Sequence, residues 1–417
     1  LLPLFAIVAV AAALMAAALL FQAGPAFLAR RALTAALAVL LLARASTWSE
    51  DLVYAMNIMH APGARVTTFK HASDNVTYIE ETGRSRIIYN GHPSIIVSQG
   101  GIPNPAEVVL GLLAAAAAPR TESALVLGLG AGITAGAVAR LFGSTDVVEI
   151  NRAFFPLLPS LADADFALSE NPAARLIHDD GRRFLAAAHA RYDAIVNTLP
   201  SPTFYAAGKL YTDEFYALVK RALAPDGVYL TWFTFGDMSQ AGVGTQLATL
   251  RRRFRHCALA VLRDSYYVLG CSDRPPRPRE PGPPGLPAPI REVLARHAPS
   301  AEPERLCTAL WLSPDVFGGS GVWDAPSNTD DLPLLEFQIA RRTPGRVRTD
   351  EVARDPRRFG LRLPEPRDPD FLDRALLLAD VHRLLFRTRV LPHLERDPAL
   401  KRAFLNGLSR SKGPASP

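Results

Sequence analysis

The sequence predicts an α/β protein, a Rossmann-like parallel sheet with a small antiparallel β unit before it and transmembrane helices before that. Three observations predict this. From Ala124 the chain reads as buried strand, glycine-rich turn, helix and second strand, the repeating unit of a parallel sheet. Residues 50 to 120 carry short alternating runs bounded by turn residues. Residues 1 to 22 hold no charged side chain.

A chain of 417 residues is long enough for two or three domains and a sizeable core, which excludes a disordered protein. The net charge of +6 rests on 5 lysines against 41 arginines, a bias that with the many Ala and Pro follows genome composition and does not indicate a nucleic-acid partner. Cys257, Cys271 and Cys307 are odd in number, far apart and without CxxC spacing. That pattern supports neither a disulfide framework nor a zinc site, and it fits a reducing compartment.

The opening LLPLFAIVAVAAALMAAALLF reaches across a hydrocarbon layer of ~30 Å at 1.5 Å per residue. It lacks the basic leading segment of a signal peptide and exceeds the usual length of that peptide's apolar core. A second apolar stretch, 25 to 45, is interrupted by Arg30 and Arg31, so residues 1–45 are expected to be membrane helices at the end of a longer membrane portion. The charge rule leaves both topologies of the following domain open. The expected location is the inner membrane, multi-pass, with the soluble domain in the cytoplasm.

Between 50 and 120, RVTTFKH, NVTYIEE and SRIIYNG alternate and are separated by Asp74-Asn75, Thr82-Gly83 and Asn90-Gly91, the pattern of strands joined by tight turns. AEVVLGLLAAAAAP follows and is too short for a membrane span, which makes it a buried helix.

ALVLGLGAGITAGAVARLFG begins the main domain, 121–272. Its glycines stand at 128, 130 and 132, and Ile133 occupies the place of the third glycine of the dinucleotide fingerprint. Such glycines let the backbone approach a bound nucleoside closely, and Glu149, ending the next strand, can accept hydrogen bonds from both ribose hydroxyls. ARLIHDDGRRFL puts Asp179, Asp180 and Gly181 at the end of a third strand, and RYDAIVNTLPSP gives a fourth. KLYTDEFYALVKRALAPDGVYLTWF reads as helix, turn and strand, with Phe215, Leu218, Val219 and Leu223 facing the sheet.

These segments, GLGAGITAG, VVEI, DDGRRFL, YDAIV, the turn ending in Pro202, LYTDEFY and the later NTDDLPLLEF, resemble the spermidine synthase family in identity and order. The resemblance is to the bacterial branch in which a multi-helix membrane portion precedes the synthase domain, and it covers about residues 65 to 272 plus the NTDD segment. It implies a methyltransferase-type sheet and a transferase of polyamine biosynthesis. The substrate acting as cofactor would be decarboxylated S-adenosylmethionine, or S-adenosylmethionine, with no metal. Gly128, Gly130 and Gly132 would line this nucleoside, Glu149 would hold its ribose, and Asp180 with Gly181 would lie near the adenine.

The sequence departs from the family where the chemistry is done. Family enzymes place an aspartate on the aminopropyl amine where this chain has Ala131, and their proline-ended turn carries a basic and a polyamine-binding aspartate where this chain has Thr198 and Ser201. Thr198 thus holds the position of the catalytic base, and Ser201, Asp330 and Asp331 are the candidate substrate-binding residues. Asp179, Asp193 and Glu336 are further acids that would need to stand in. Aminopropyl transfer requires a neutral attacking amine, and a positioned base contributes about 10² to 10⁴ in rate. Three classes therefore remain: an aminopropyltransferase of reduced activity acting on a polyamine, a methyltransferase acting on an unknown acceptor, and a non-catalytic nucleoside-binding domain attached to a membrane portion.

Residues 273–290 hold a Pro-rich linker, with 8 of the 35 prolines between 275 and 289. In the segment 291–417, SNTDDLPLLEF fits either an acidic site wall or an Asn/Asp turn entering a strand. Residues 368 to 409 read as helices that dock on the domain or offer a partner surface, and self-association into a homo-oligomer is left open. His178 and His382 have no partner at metal-ligand spacing.

Overall fold

The computed structural model describes residues 65–71, 76–90, 94–199, 202, 207–236, 238–263, 266–276, 285–300, 302, 311–313, 315–318, 325–340, 351–352, 355, 363 and 365–411. The expected membrane helices of 1–45 lie outside these. Among the described residues no helix is long and apolar enough to cross a membrane.

The chain divides into two compact units, 1–96 and 97–417. In the first, β1 (Arg65–His71), β2 (Val76–Thr82) and β3 (Ser85–Asn90) form an antiparallel meander, with Tyr78 opposite Tyr89 and Ile79 opposite Ile88. Tyr78 and Tyr89 stack with ring centroids 5.1 Å apart. The boundary falls within β4 (Ser94–Gln99), whose end pairs with β5 (Ile102–Pro103). The apolar helix expected within 50–120 therefore belongs to the second unit.

That helix is α1 (Pro105–Ala117), started by Asn104, whose side chain accepts from the Ala106 N–H, and by a proline in its first turn. It is followed by β6 (Ser123–Leu127), α2 (Ile133–Leu141), β7 (Ser144–Glu149), β8 (Ala174–His178), α3 (Gly181–Ala187), β9 (Tyr192–Asn197), α4 (Asp213–Ala222) and β10 (Leu223–Phe233). Next come α5 (Gln240–Arg251), the hairpin β11 (His256–Arg263) and β12 (Tyr266–Ser272), α6 (Ala288–His297) and β13 (Trp311–Ser313). The sheet runs β8-β7-β6-β9-β10-β12-β11-β13. Its first five strands are parallel, and the other three are antiparallel. The parallel core is the doubly wound arrangement expected, and the order reverses between β6 and β9, where the carboxyl ends of strands leave a ligand crevice.

Burial explains these elements. β6 and β9 are apolar almost throughout and covered on both faces, as central parallel strands must be. On α4 the buried stripe is Phe215, Tyr216, Val219 and Ala222, so Tyr216 takes the place expected of Leu218. Tyr229 of β10 packs between Tyr216 and Phe254, at 5.8 and 6.0 Å.

Several expectations are corrected. Cys257 and Cys271, 14 residues apart in sequence, are joined by a disulfide because they sit directly opposite one another on β11 and β12. Strand register, which sequence separation does not reveal, brings them together. The Pro-rich stretch ends sooner than expected, since α6 starts at Ala288 with Pro289 in its first turn, where a missing N–H costs no helical hydrogen bond. The NTDD segment leads into a helix, α7 (Leu334–Ala340), and not into a strand.

The C-terminal helices α8 (Phe371–Val381), α9 (Leu391–Arg396) and α10 (Pro398–Ser411) follow. His382, at the end of α8, is buried, meets the Tyr267 hydroxyl of β12 at 2.9 Å and accepts the Leu385 N–H on Nδ1. This histidine joins the tail to the sheet.

Candidate functional site

The crevice at the strand reversal is assembled from the ends of β6, β7, β8 and β9. After β6 the chain turns through Gly128, Gly130 and Gly132, all at positive φ (92°, 51° and 78°), a region costly for residues with a Cβ. A Cβ on Gly128 would stand 2.5 Å from the Thr198 hydroxyl, so the close approach of the β6 and β9 ends also requires glycine there. Gly136, one turn into α2, lets the helix lie against the Asp165 carbonyl, which a Cβ would meet at 1.9 Å.

Glu149, ending β7, is 7 % exposed and governs the shape of this turn. Its Oε2 accepts the Leu129 N–H and its Oε1 the Asn151 N–H, both at 2.7 Å. Burial raises its pKa, and the backbone donors of Asn151, Leu129, Gly130 and Ile150 oppose that rise by favouring the charged form. A carboxylate offers about four acceptor positions, and these four backbone donors already address them, so a ribose hydroxyl would share an oxygen with the backbone or displace one of its donors. Ile150 follows with 62 % of its surface exposed, an apolar platform beside the acid that the sequence reading missed. Its carbonyl meets His178 Nε2 at 3.1 Å, which gives that histidine a partner unrelated to metal.

Asp180 caps α3, with Oδ1 accepting the N–H groups of Arg182 and Arg183 at 2.9 and 2.8 Å. Gly181 lies close to Leu127, whose Cδ2 a Cβ would meet at 3.3 Å, so the Asp180-Gly181 pair borders the end of β6. Asp179 is occupied, accepting from Arg183 and from the Asp180 N–H at 2.6 Å each.

Thr198 stands at the end of β9, facing the glycine turn, and its hydroxyl donates toward the carbonyls of Leu127 and Gly128, at 3.0 and 2.9 Å. It therefore acts as a clasp between two strand ends, and a hydroxyl so engaged offers no basic group. The Tyr211 hydroxyl donates to the Leu199 carbonyl at 2.7 Å and holds the next residue of the turn. Ser201 lies outside the described residues. Ala131 is buried within the glycine turn.

The NTDD segment is brought to this edge but is already engaged. Buried Asn328 donates to the Tyr211 carbonyl and accepts from the Leu335 N–H, while its own N–H donates to Thr249, so it knits the segment to the domain. Asp330 forms a two-pronged ion pair with Arg182, one contact at 2.7 Å. Desolvation works against its charge, but hydrogen bonds from Arg182 and Thr212 outweigh it and hold the Asp330 pKa below the usual carboxylate value. Asp331 is exposed. Glu336 packs on Gly208, shortly after the turn. Asp193 is excluded from the crevice, because it lies at the opposite edge of the sheet, bound to Arg120 at 3.2 Å and to the N–H groups of Glu122 and Ser123. Among the described residues no group of three or more His, Cys, Asp or Glu is placed to hold a metal ion.

The strand order, the positive-φ glycine turn and the acid ending β7 define a Rossmann-like α/β domain of methyltransferase-type fold. Residues 107–260 match the spermine/spermidine synthase domain. Polyamine aminopropyltransferase 2 of Streptomyces coelicolor is 34% identical over 185 residues, 42% of this chain and 30% of that protein. The polyamine aminopropyltransferase of Mycobacterium tuberculosis is 36% identical over 113 residues, 26% of this chain and 22% of that one. These findings support the spermine/spermidine synthase family for the domain, although the chain spans less than a third of the length of these two relatives. A solved spermidine synthase in complex with the transition-state analogue AdoDATO is 16% identical, with a TM-score of 0.44 over 50% of this chain and 74% of that one. A probable spermidine synthase from Corynebacterium glutamicum is 19% identical, with a TM-score of 0.40 over 55% and 88%.

Proposed function

We propose that this chain is a spermidine-synthase-like transferase that binds decarboxylated S-adenosylmethionine and belongs by reaction class to aminopropyl transfer onto a polyamine, at a rate far below that of a site furnished with carboxylates. The observation that carries the nucleoside reading is Glu149, tied to the glycine turn at the strand reversal within the matched domain. Adenosine would enter between the turn and Ile150, its ribose on Glu149 and its base toward Asp180 and Gly181.

In the transfer, a neutral polyamine nitrogen attacks the carbon next to the sulfonium, the C–S bond breaks, 5′-methylthioadenosine leaves, and the nitrogen loses a proton. The sulfonium already carries the leaving group's charge, so a positioned, deprotonated amine is the main demand. Asp179 and Asp330, each engaged by an arginine, are poor acceptors for that proton, and the Thr198 hydroxyl is spent on backbone carbonyls. Hence the low rate.

Ala131 favours a second reading, a methyltransferase using S-adenosylmethionine, because the acid that selects the decarboxylated ligand is missing from the turn. Calorimetric titration with both sulfonium compounds separates the two. Tighter binding of the decarboxylated form supports the aminopropyl reading, and preference for S-adenosylmethionine overturns it. We also propose that residues 1–45 anchor the domain in the inner membrane, supported by their uncharged opening stretch. Full release of the chain by carbonate would count against the anchor.

A further inference from the structure

α1 and α2 lie side by side and point the same way, with Glu107 beside Thr134 and Gly111 against Ala137 and Val138. Gly111 permits the approach, since a Cβ there would meet the Ala137 Cβ at 2.8 Å. Because α2 leaves the carboxyl end of β6 directly, this pairing puts the first turn of α1 at the same edge of the sheet as the glycine turn. Glu107 Oε2 accepts the Thr134 hydroxyl, three residues on from Ala131. Its Oε1 has no hydrogen-bond partner among the described residues, and no cation pairs with it there.

An acid in this position is unusual. α1 is otherwise apolar, and a half-buried carboxyl set among apolar neighbours without a cation is costly to ionise. Burial pushes its pKa up to about 7 despite the Thr134 hydrogen bond. Nothing in the fold requires a carboxyl here, because a glutamine would satisfy Thr134 equally well. A ligand that brought its own cation would supply the missing partner.

We propose that Glu107 receives the terminal ammonium of the sulfonium ligand's aminopropyl chain, in place of the aspartate that Ala131 lacks, an inference that rests on the nucleoside reading above. The adenosine on Glu149 directs its sulfur substituents toward the start of α2, where Glu107 waits. The same charge rejects S-adenosylmethionine, whose carboxylate would face Glu107, so the acid restores from a neighbouring helix the selectivity lost from the turn.

The test is calorimetric titration of the full chain and of Glu107→Gln with three ligands: 5′-methylthioadenosine, which has no amine, decarboxylated S-adenosylmethionine, and S-adenosylmethionine. Glu107→Gln should bind the decarboxylated ligand about ten- to a hundredfold more weakly, the range for a charged hydrogen bond, and hold 5′-methylthioadenosine within about twofold of the parent. Unchanged affinity for the decarboxylated ligand in Glu107→Gln overturns the inference. Failure of the parent chain to bind 5′-methylthioadenosine sinks the nucleoside reading instead, so the two failures are distinct. If Glu107→Gln loses 5′-methylthioadenosine, Glu107→Asp, which withdraws the charge by one methylene, replaces it. A selective loss of the decarboxylated ligand then supports the role, and equal losses of both overturn it.

Discussion

Glu149 Oε2 accepts the backbone N–H of Leu129 at 2.7 Å, so the acid that ends β7 also holds the glycine turn that follows β6. A ribose bound at this carboxylate, as proposed, would meet a group whose direction is already set by backbone donors. Pre-organisation of this kind lowers the entropic cost of binding, since neither the acid nor the turn has to be ordered by the ligand.

Glu149→Ala should therefore weaken 5′-methylthioadenosine by ~1.5 to 3 kcal/mol, the range for hydrogen bonds to a charged group. Glu149→Gln keeps one acceptor and should lose less. An unchanged dissociation constant in the alanine variant would remove Glu149 from the ribose site.

The parts of this fold that were legible in the sequence are those fixed by local pattern. β6, β9 and β10 are long apolar runs, and the glycine turn needs positive φ at three places, so both leave a trace in residue order. The parts that escaped depend on contacts between distant residues. Arg182 meets Asp330 across 148 positions and turns an expected substrate acid into one arm of an ion pair. The NTDD continuation was ambiguous because its apolar run is short, and Pro333 followed by α7 resolves it as a helix start. Glu107 carried no motif, and only the pairing of α1 with α2 gives it a place at the edge of the sheet.

The disulfide offers a direct chemical check. Denatured without reductant, the chain should show one reactive thiol, that of Cys307, and after reduction all three. Closing a loop of about 15 residues is worth ~3 kcal/mol in the chain-entropy account, so Cys271→Ser should lower the melting temperature measurably. Three reactive thiols before reduction would count against the bond.

Glu107 also predicts how stability varies with pH. Its carboxyl stays protonated in the folded chain up to about 7, while in the unfolded chain it ionises near 4.5. Between those values the folded state binds the extra proton, so this group's contribution is constant below 4.5, falls as pH rises to 7, and is flat above. Glu107→Gln lacks that slope. It should match the parent near pH 4.5 and exceed it at pH 8 by an amount on the order of 1 to 3 kcal/mol, one pKa unit being about 1.4. Denaturant melts at the two pH values measure the difference, and parallel profiles for parent and variant would show that the carboxyl is not held protonated.

Catalysis is where the resemblance and the residues part, and there the structure sharpens the expectation. The unmodified chain should form little or no spermidine from putrescine and decarboxylated S-adenosylmethionine while still binding the nucleoside. Restoring acids through Ala131→Asp, Thr198→Asp and Ser201→Asp is physically compromised at two of these places. Ala131 is buried, and Thr198 donates to the Leu127 and Gly128 carbonyls, oxygens that an aspartate would repel. Thr198→Asp alone should therefore splay the β6 and β9 ends and reduce nucleoside binding, with no gain in rate, since a displacement of ~1 Å can cost about 10²-fold. Thr198→Ser, which keeps the hydroxyl, should bind the nucleoside like the parent. Robust spermidine formation by the unmodified chain, abolished by Asp331→Asn with nucleoside affinity intact, would move the base to the NTDD segment and overturn the assignment of a site without one.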